Sequence, residues 1–512
     1  MENSRTKNAS RNIVFGVLQK FTSLLLPFVT RTLLIYVLGN EYLGLSSLFS
    51  SILQVLSLTE LGVGTAMVYS MYKPMAENDT EKICSLLYLY RKIYRIIGVV
   101  MVVIGVVLTP FLKYLIKGDI PDDINLYILY AIYTTNSAIS YFLFAYKQSL
   151  FTASQRSDIY SKLNLVTMVL MNFTQITALL LFKNYYAYII ILPFSTVATN
   201  ILNAIIANKR YPQYICYGEV PQDIKKSIVK KTAALFGSKL NSIVLHAADI
   251  LVISAFIGLN DVAIYGNYYY IMNSIVGIIN IVYSSMTAGI GNSLIAETEE
   301  KNYYDFRKLT FINFWMITFC ATCLLCMYQP FMKLWVGEEL LYPTGMMCLF
   351  VIYFYLYQMR RVVLTYKDAA GIWWEDRFRP YVIMIFNLGT NLLLVQFIGV
   401  YGVIIATIIS MSISIPWENY TVFKYNFKCS PRKYYMTTFV YVVVALIAMT
   451  LTYVICEAIP VFGVVELFIR LLLCFLIPNM LLFIIYHKCP EFISLVATAK
   501  QILLRKSMNN AK

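Results

Sequence analysis

Residues Arg11–Pro74 read RNIVFGVLQKFTSLLLPFVTRTLLIYVLGNEYLGLSSLFSSILQVLSLTELGVGTAMVYSMYKP. This stretch is apolar enough for two membrane helices joined by a short turn, Gly39-Asn40-Glu41-Tyr42. Yet Lys20, Arg31 and Glu60 stand inside the apolar runs. A charge at the centre of a spanning helix costs at least about 2.5–3.5 kcal/mol, so it ordinarily faces a partner or a water-filled cavity. Lys20 and Arg31 are eleven residues apart. At about 100° per residue they return to within about 20° of one face, roughly 16 Å apart along the axis. Two cations on one stripe predict an anionic cargo inside the membrane.

The rest of the chain agrees with a membrane setting. Of 512 residues, 59% are hydrophobic and 13% charged, with a mean hydropathy of +0.65. Continuous apolar runs, rather than alternating ones, predict spanning helices and exclude a barrel. The reading is an all-α polytopic membrane protein with about fourteen spans. They fall roughly at 12–38, 43–71, 86–112, 124–147, 158–182, 186–208, 230–257, 262–290, 307–330, 341–366, 378–398, 400–423, 434–456 and 463–486. The residues that follow, 490–506, have the pattern of a short interfacial amphipathic helix. No cleavable signal is expected at the N-terminus.

The net charge of +15 is assigned to the positive-inside bias of cytoplasmic loops and not to nucleic acid. With the N-terminus inside, thirty-five of the 42 Lys and Arg fall on the inner side. Lys113, Lys117, Lys183 and Lys333 fall outside, and Lys20, Arg31 and Arg470 within spans. Lys239, Arg360 and Arg361 are inner-side members that could sit at helix ends. This alternation predicts fourteen spans with both termini cytoplasmic.

A repeat is also visible. Phe15-Gly16 returns as Phe236-Gly237, Gly39 as Gly258, Glu41 as Asp261, and Gly62-Val63-Gly64 as Gly289-Ile290-Gly291. The expected organisation is a six-helix lobe over 1–210, a second over 211–428, and two appended helices with an amphipathic tail over 429–512. Carriers built from such repeats place the cargo between the halves.

The seventh segment carries Lys239, Ser242, His246 and Asp249 at helical spacing, one polar face opposite the Lys20–Arg31 stripe in the repeat. The candidate cargo cations are therefore Arg31, Lys20 and Lys239. Arg360 and Arg361 join them because the planar guanidinium suits phosphate, with inner-side anchoring as the alternative. Asp249, Glu60 and His246 are the candidates for coupling or gating, with a structural ion pair or a locked helix end as the alternatives. Arg470 has a possible partner in Glu466, one turn away. Asn164, Asn172 and Gln175 form a polar face whose default role is hydrogen bonding between helices. The ten cysteines follow no metal spacing, and Cys320, Cys323 and Cys326 read as packing residues. No metal, cofactor or catalytic constellation is expected. There is no phosphate-binding glycine loop and no outward loop large enough for a glycan-processing site, so the chain is not read as an enzyme.

The run RTLLIYVLGNEYLGLSSLFSSILQVLSLTELGVGTAMVYSMYKPMAEND (residues 31–79) resembles Wzx-type polysaccharide flippases. That family belongs to the superfamily that also holds multidrug and toxin extrusion transporters and the lipid II flippase. The resemblance implies a V-shaped pair of six-helix lobes around a central cavity. It implies an undecaprenyl-diphosphate-linked oligosaccharide as cargo, turned to the outer leaflet of a bacterial cytoplasmic membrane for O-antigen, capsule or lipopolysaccharide synthesis. Cavity cations are expected to meet the diphosphate, which suits Lys20 and Arg31. Membrane lipids are the other partners. A proton or sodium ion is the candidate coupling ion, and a polysaccharide polymerase complex a candidate neighbour. The alternative is a multidrug or cation antiporter of the same fold.

Overall fold

A computed structural model describes residues 2–497 except Leu61, Asp119, Pro460 and Val461. The side chains of residues 2–10, 12–14, 58, 59, 231, 234, 235, 238, 239, 241, 242, 244–246 and 288 also lie outside the description. Among the described residues the regular structure is all helix, with no strand. Among the described residues, eleven helices are long and apolar enough to cross a membrane, or twelve when the bent pair Leu126–Phe142 and Ala145–Ala153 counts as one span.

Each of the fourteen expected segments is occupied by helix, and two escape the length criterion for local reasons. The second segment is broken. It forms α2 (Asn40–Leu56), a 3-10 turn (Ser57–Glu60) and α3 (Val63–Glu77), each helix shorter than the roughly 20 residues that a span requires. The seventh lies in one long helix, Gln222–Phe256, whose apolar described stretch, Ala247–Phe256, is too short to meet the criterion.

The break in the second segment has a sequence cause. Gly62 adopts φ 86, a left-handed conformation that costs a residue with a Cβ about 1–2 kcal/mol. Its repeat counterpart behaves differently. Gly289 and Gly291 lie inside an unbroken helix, Leu259–Ala296. The joint glycines do correspond, since Gly39 and Gly258 both take positive φ (113 and 141).

Side-chain caps fix several helix starts by satisfying the first free N–H groups. Asp79 accepts from the backbone of Lys82 ahead of α4 (Thr80–Leu108). Asn125 accepts from Tyr127 and Ile128 ahead of α5 (Leu126–Phe142). Thr298 accepts from Lys301 at the start of helix Glu299–Val336.

Contacts group the chain into two compact units. Unit 1 comprises Met1–Gly266 and Asn391–Val403, and unit 2 comprises Asn267–Thr390 and Ile404–Lys512. In unit 1, α1 (Glu2–Val37) lies along Ser157–Phe182, and Gln222–Phe256 lies along α2. Asp158, fully buried, ties the first pair together by accepting Arg156 (2.8 Å), Arg11 (3.2 Å) and Lys162 (3.6 Å). The second pair leads into the start of the next helix at very close range. A Cβ on Gly44 would lie 2.2 Å from the carbonyl oxygen of Leu259. Unit 2 is organised around Glu299–Val336, against which Thr344–Met359, Arg432–Glu457 and Val464–Tyr486 pack.

Candidate functional site

The break in the second segment sets Glu60 at the last position of a turn, with its carboxylate among tyrosines of α4 and α5. Tyr94 of α4 donates a short hydrogen bond to one oxygen, and Tyr141 of α5 donates to the other at 2.7 Å. Tyr90, one turn before Tyr94, donates to the Tyr94 hydroxyl at 2.7 Å. Gly64 makes room for this relay, since a Cβ there would come 2.9 Å from the Tyr90 hydroxyl. Among the described residues no cation stands within ion-pair distance of Glu60.

Glu60 lies on the wall of two cavities within unit 1. One has a volume of about 670 Å³ and also meets Tyr69, Tyr72 and Thr152. Ile243 borders it, so the helix carrying Lys239, Ser242 and His246 adjoins this space. The side chains of those three residues lie outside the described set. The second cavity, about 550 Å³, has a mixed lining in which amides and hydroxyls, among them Asn164, Thr167, Thr199, Asn200 and Asn203, stand beside Met101, Met168 and Met171. Such a lining offers both donors and acceptors at fixed positions, which suits a hydroxyl-rich ligand or water.

Arg31 and Asp249 lie elsewhere in unit 1 and meet successive residues of one helix. The Arg31 guanidinium reaches to 3.2 Å from where a Cβ on Gly266 would stand. Asp249 is buried, 3% exposed. It accepts from the Tyr265 hydroxyl (2.9 Å) and from the Asn391 amide (2.8 Å). Lys20 is exposed on α1.

Unit 2 holds a further in-span carboxylate. Glu418 is fully buried and takes Arg379 at 2.7 Å and Arg360 at 3.3 Å. Asp376 joins the network by accepting Arg379 and Lys367, both at 2.7 Å. Burial would raise the Asp376 carboxyl, but the Arg379 and Lys367 cations outweigh it and hold it below the usual carboxylate range. Arg360 is therefore engaged in a buried network, whereas Arg361 opens the next helix near Tyr283. Arg470 makes the expected pair with Glu466 (2.9 Å) and a second with Glu457 (2.8 Å).

The sequence reading missed Tyr94, Tyr141, Tyr265, Asn391 and Glu418. Glu418 carried the same signal as Glu60, a carboxylate within an apolar run. The two Glu60 tyrosines carried none, being two of 42.

Residues 9–288 match the sequence profile described as polysaccharide biosynthesis protein. The chain belongs to this family. Among solved structures, the lipid II flippase MurJ in an inward closed conformation has a TM-score of 0.60 at 14% identity, covering 93% of this chain and 99% of that one. An inward-facing MATE family multidrug resistance transporter of the MOP superfamily has a TM-score of 0.58 at 14% identity, covering 79% and 94%. The Vibrio cholerae MATE transporter VcmN, solved as a point mutant, has a TM-score of 0.53 at 14% identity, covering 83% and 99%. At these identities the likeness defines the fold. No curated protein matches the chain by sequence. The protein is thus a multi-pass membrane protein of this family, with the fold of the MurJ and MATE transporters.

Proposed function

We propose that this protein is a flippase that carries an isoprenoid-diphosphate-linked oligosaccharide from the inner to the outer leaflet of a bacterial cytoplasmic membrane. The observation that carries the reading is Arg31, a guanidinium set inside an apolar helix within the segment that defines the family. Planar guanidinium groups pair with phosphate oxygens two at a time, and Lys20 on the same helix supplies a second charge for a diphosphate. Lys239 and Arg361 are further candidates for that role. Arg360 ranks below them because Glu418 already holds it. The amide-rich cavity suits the sugar portion. Glu60 is the coupling or gating group, a carboxylate on a cavity wall held by hydroxyls alone among its described neighbours. Asp249 and His246 stand behind it, with a proton or sodium ion as the driving species.

The test is reconstitution in vesicles with a fluorescent lipid-diphosphate oligosaccharide, following leaflet exchange with and without proton and sodium gradients. Wild-type protein should exchange the lipid and Arg31→Ala should not, while inserting normally. Full exchange by Arg31→Ala would remove the diphosphate role. A second reading, a cation or multidrug antiporter, is favoured by a carboxylate, Glu60, set among aromatic rings on a cavity wall. It predicts drug resistance on overexpression and no lipid exchange with any glycan.

A further inference from the structure

Three cysteines far apart in the sequence meet in unit 2. Cys326 comes from helix Glu299–Val336, Cys456 from Arg432–Glu457 and Cys474 from Val464–Tyr486. Their sulfurs all lie within 4.8 Å of one another, and each residue is 1% exposed or less. Three sulfurs bound to one ion at about 2.3 Å stand about 4 Å apart, so the observed spacing needs only rotamer-scale adjustment to close on an ion. Thiolate is the ligand that selects soft d10 cations over the magnesium and calcium of the cell.

Two neighbouring features suit an ion site better than apolar packing alone. Cys323, half-buried, packs against the cluster from one turn away, and Cys320 lies one turn further along the same helix. The stripe of thiols noted in the sequence therefore runs along one helix from two half-buried positions to the buried centre, which puts further soft ligands next to the cluster. A cation also stands beside it. Arg470 lies one turn before Cys474 and donates to the carbonyl oxygen of Cys326 at 3.0 Å, while pairing with Glu457 and Glu466.

We infer that Cys326, Cys456 and Cys474 form a three-thiolate site for a divalent d10 cation of the zinc type. Binding releases three thiol protons and leaves one net negative charge at the centre. A monovalent ion would leave two, at a larger cost in an apolar interior. The ion links the last two helices to the helix at the centre of unit 2. The site is independent of the flippase reading, since its residues belong to unit 2 while Arg31 and the residues lining the Glu60 cavities belong to unit 1.

The test uses the full-length protein, purified in detergent under reducing conditions and titrated with Zn²⁺. One equivalent should bind, and Zn²⁺ should protect these three thiols from alkylation, read by peptide mass spectrometry. Cys474→Ser should weaken binding by more than about 100-fold, since even loss of a supporting contact costs 10–100-fold. Cys348→Ser, at a half-buried cysteine outside the cluster, should leave binding unchanged. The same alkylation with and without Zn²⁺ would overturn the site, and that readout on wild-type protein decides even where a variant fails to fold. Recovery of Cys326 in a disulfide with Cys456 or Cys474 from freshly purified protein would also overturn it.

Discussion

Glu60 in unit 1 and Glu418 in unit 2 are both carboxylates inside apolar segments, and they are satisfied in opposite ways. Glu418 is sealed from solvent and gripped by two arginines. Glu60 is half-buried beside two cavities and held by two tyrosine hydroxyls. Hydrogen bonds to a charged group contribute about 1.5–3 kcal/mol each, whereas stripping one partner from a buried ion pair costs about 3–5 kcal/mol. A proton or cation can therefore reach Glu60 by displacing hydroxyls that rotate away, while at Glu418 it must break a guanidinium pair. The same residue type is paired with guanidinium groups in one unit and with hydroxyls alone, among its described neighbours, in the other.

The sharpest way to break this contrast is to remove the Glu418 charge. Glu418→Gln leaves Arg360 and Arg379 short of a counter-charge in a buried place, with an expected loss of about 3–5 kcal/mol. Thermal unfolding of the detergent-solubilised protein should show a large drop in melting temperature together with poor yield. An unchanged melting temperature would mean that Glu418 holds nothing.

The second prediction reverses the pattern at Glu60. Glu60→Gln keeps the size, and the amide oxygen accepts from one tyrosine while the NH2 donates to the hydroxyl of the other once that hydroxyl rotates, so stability should fall by only about 1 kcal/mol. Exchange of the lipid-linked glycan, or export of a drug under the second reading, should lose its dependence on the ion gradient. If gradient-driven transport survives unchanged, Glu60 serves only to lock the helix break beside Gly62.

The third concerns pH and belongs to unit 2. The folded Asp376 carboxyl lies below its unfolded value, which is near about 3.9. Its contribution is fully present above that unfolded value and is lost as pH falls through the folded one. The melting temperature of wild-type protein should therefore be insensitive to this group from about pH 5 to 8 and decline below about pH 4. Asp376→Asn should have a lower melting temperature at neutral pH and a shallower acid decline. Parallel acid declines in the two proteins would show that Lys367 and Arg379 do not stabilise the ionised carboxylate.

How far these sites could be read from the letters follows from physical range. Hydropathy is local and strong, so the helical membrane class and the position of each apolar segment were legible. Charges inside apolar runs are also local signals, which is why Lys20, Arg31 and Glu60 stood out. Partners were not legible, because Tyr94, Tyr141 and Asn391 come from other helices and share their letters with dozens of ordinary residues. The repeat misled at one point. Gly62-Val63-Gly64 and Gly289-Ile290-Gly291 match in letters, yet only the first breaks its helix. A Cβ on Gly64 would stand 2.9 Å from the Tyr90 hydroxyl, whereas one on its counterpart Gly291 would make an ordinary contact, 3.5 Å from the Ala369 carbonyl oxygen. Three cysteines separated by 130 and 18 positions gave no spacing pattern, since only helix packing brings them together.

The smallest expected effect sharpens the contrast from the cationic side. Gly266 leaves the space that the Arg31 guanidinium occupies, and a Cβ there would stand 3.2 Å from it. Gly266→Ala gains helix propensity of about 1 kcal/mol, while the tight contact pushes on the end of a long, flexible side chain. The two effects should nearly cancel, leaving the melting temperature close to wild type. Cargo handling should respond, because Arg31 is proposed to bind phosphate and its guanidinium is displaced by a few tenths of an ångström. Lipid exchange should slow modestly, with a weaker apparent affinity for the diphosphate lipid and an unchanged ion dependence. A variant that transports like wild type but melts lower would make the Arg31–Gly266 contact a matter of packing. It would then belong with the Glu418 arginines, as part of the frame and not of the cargo path.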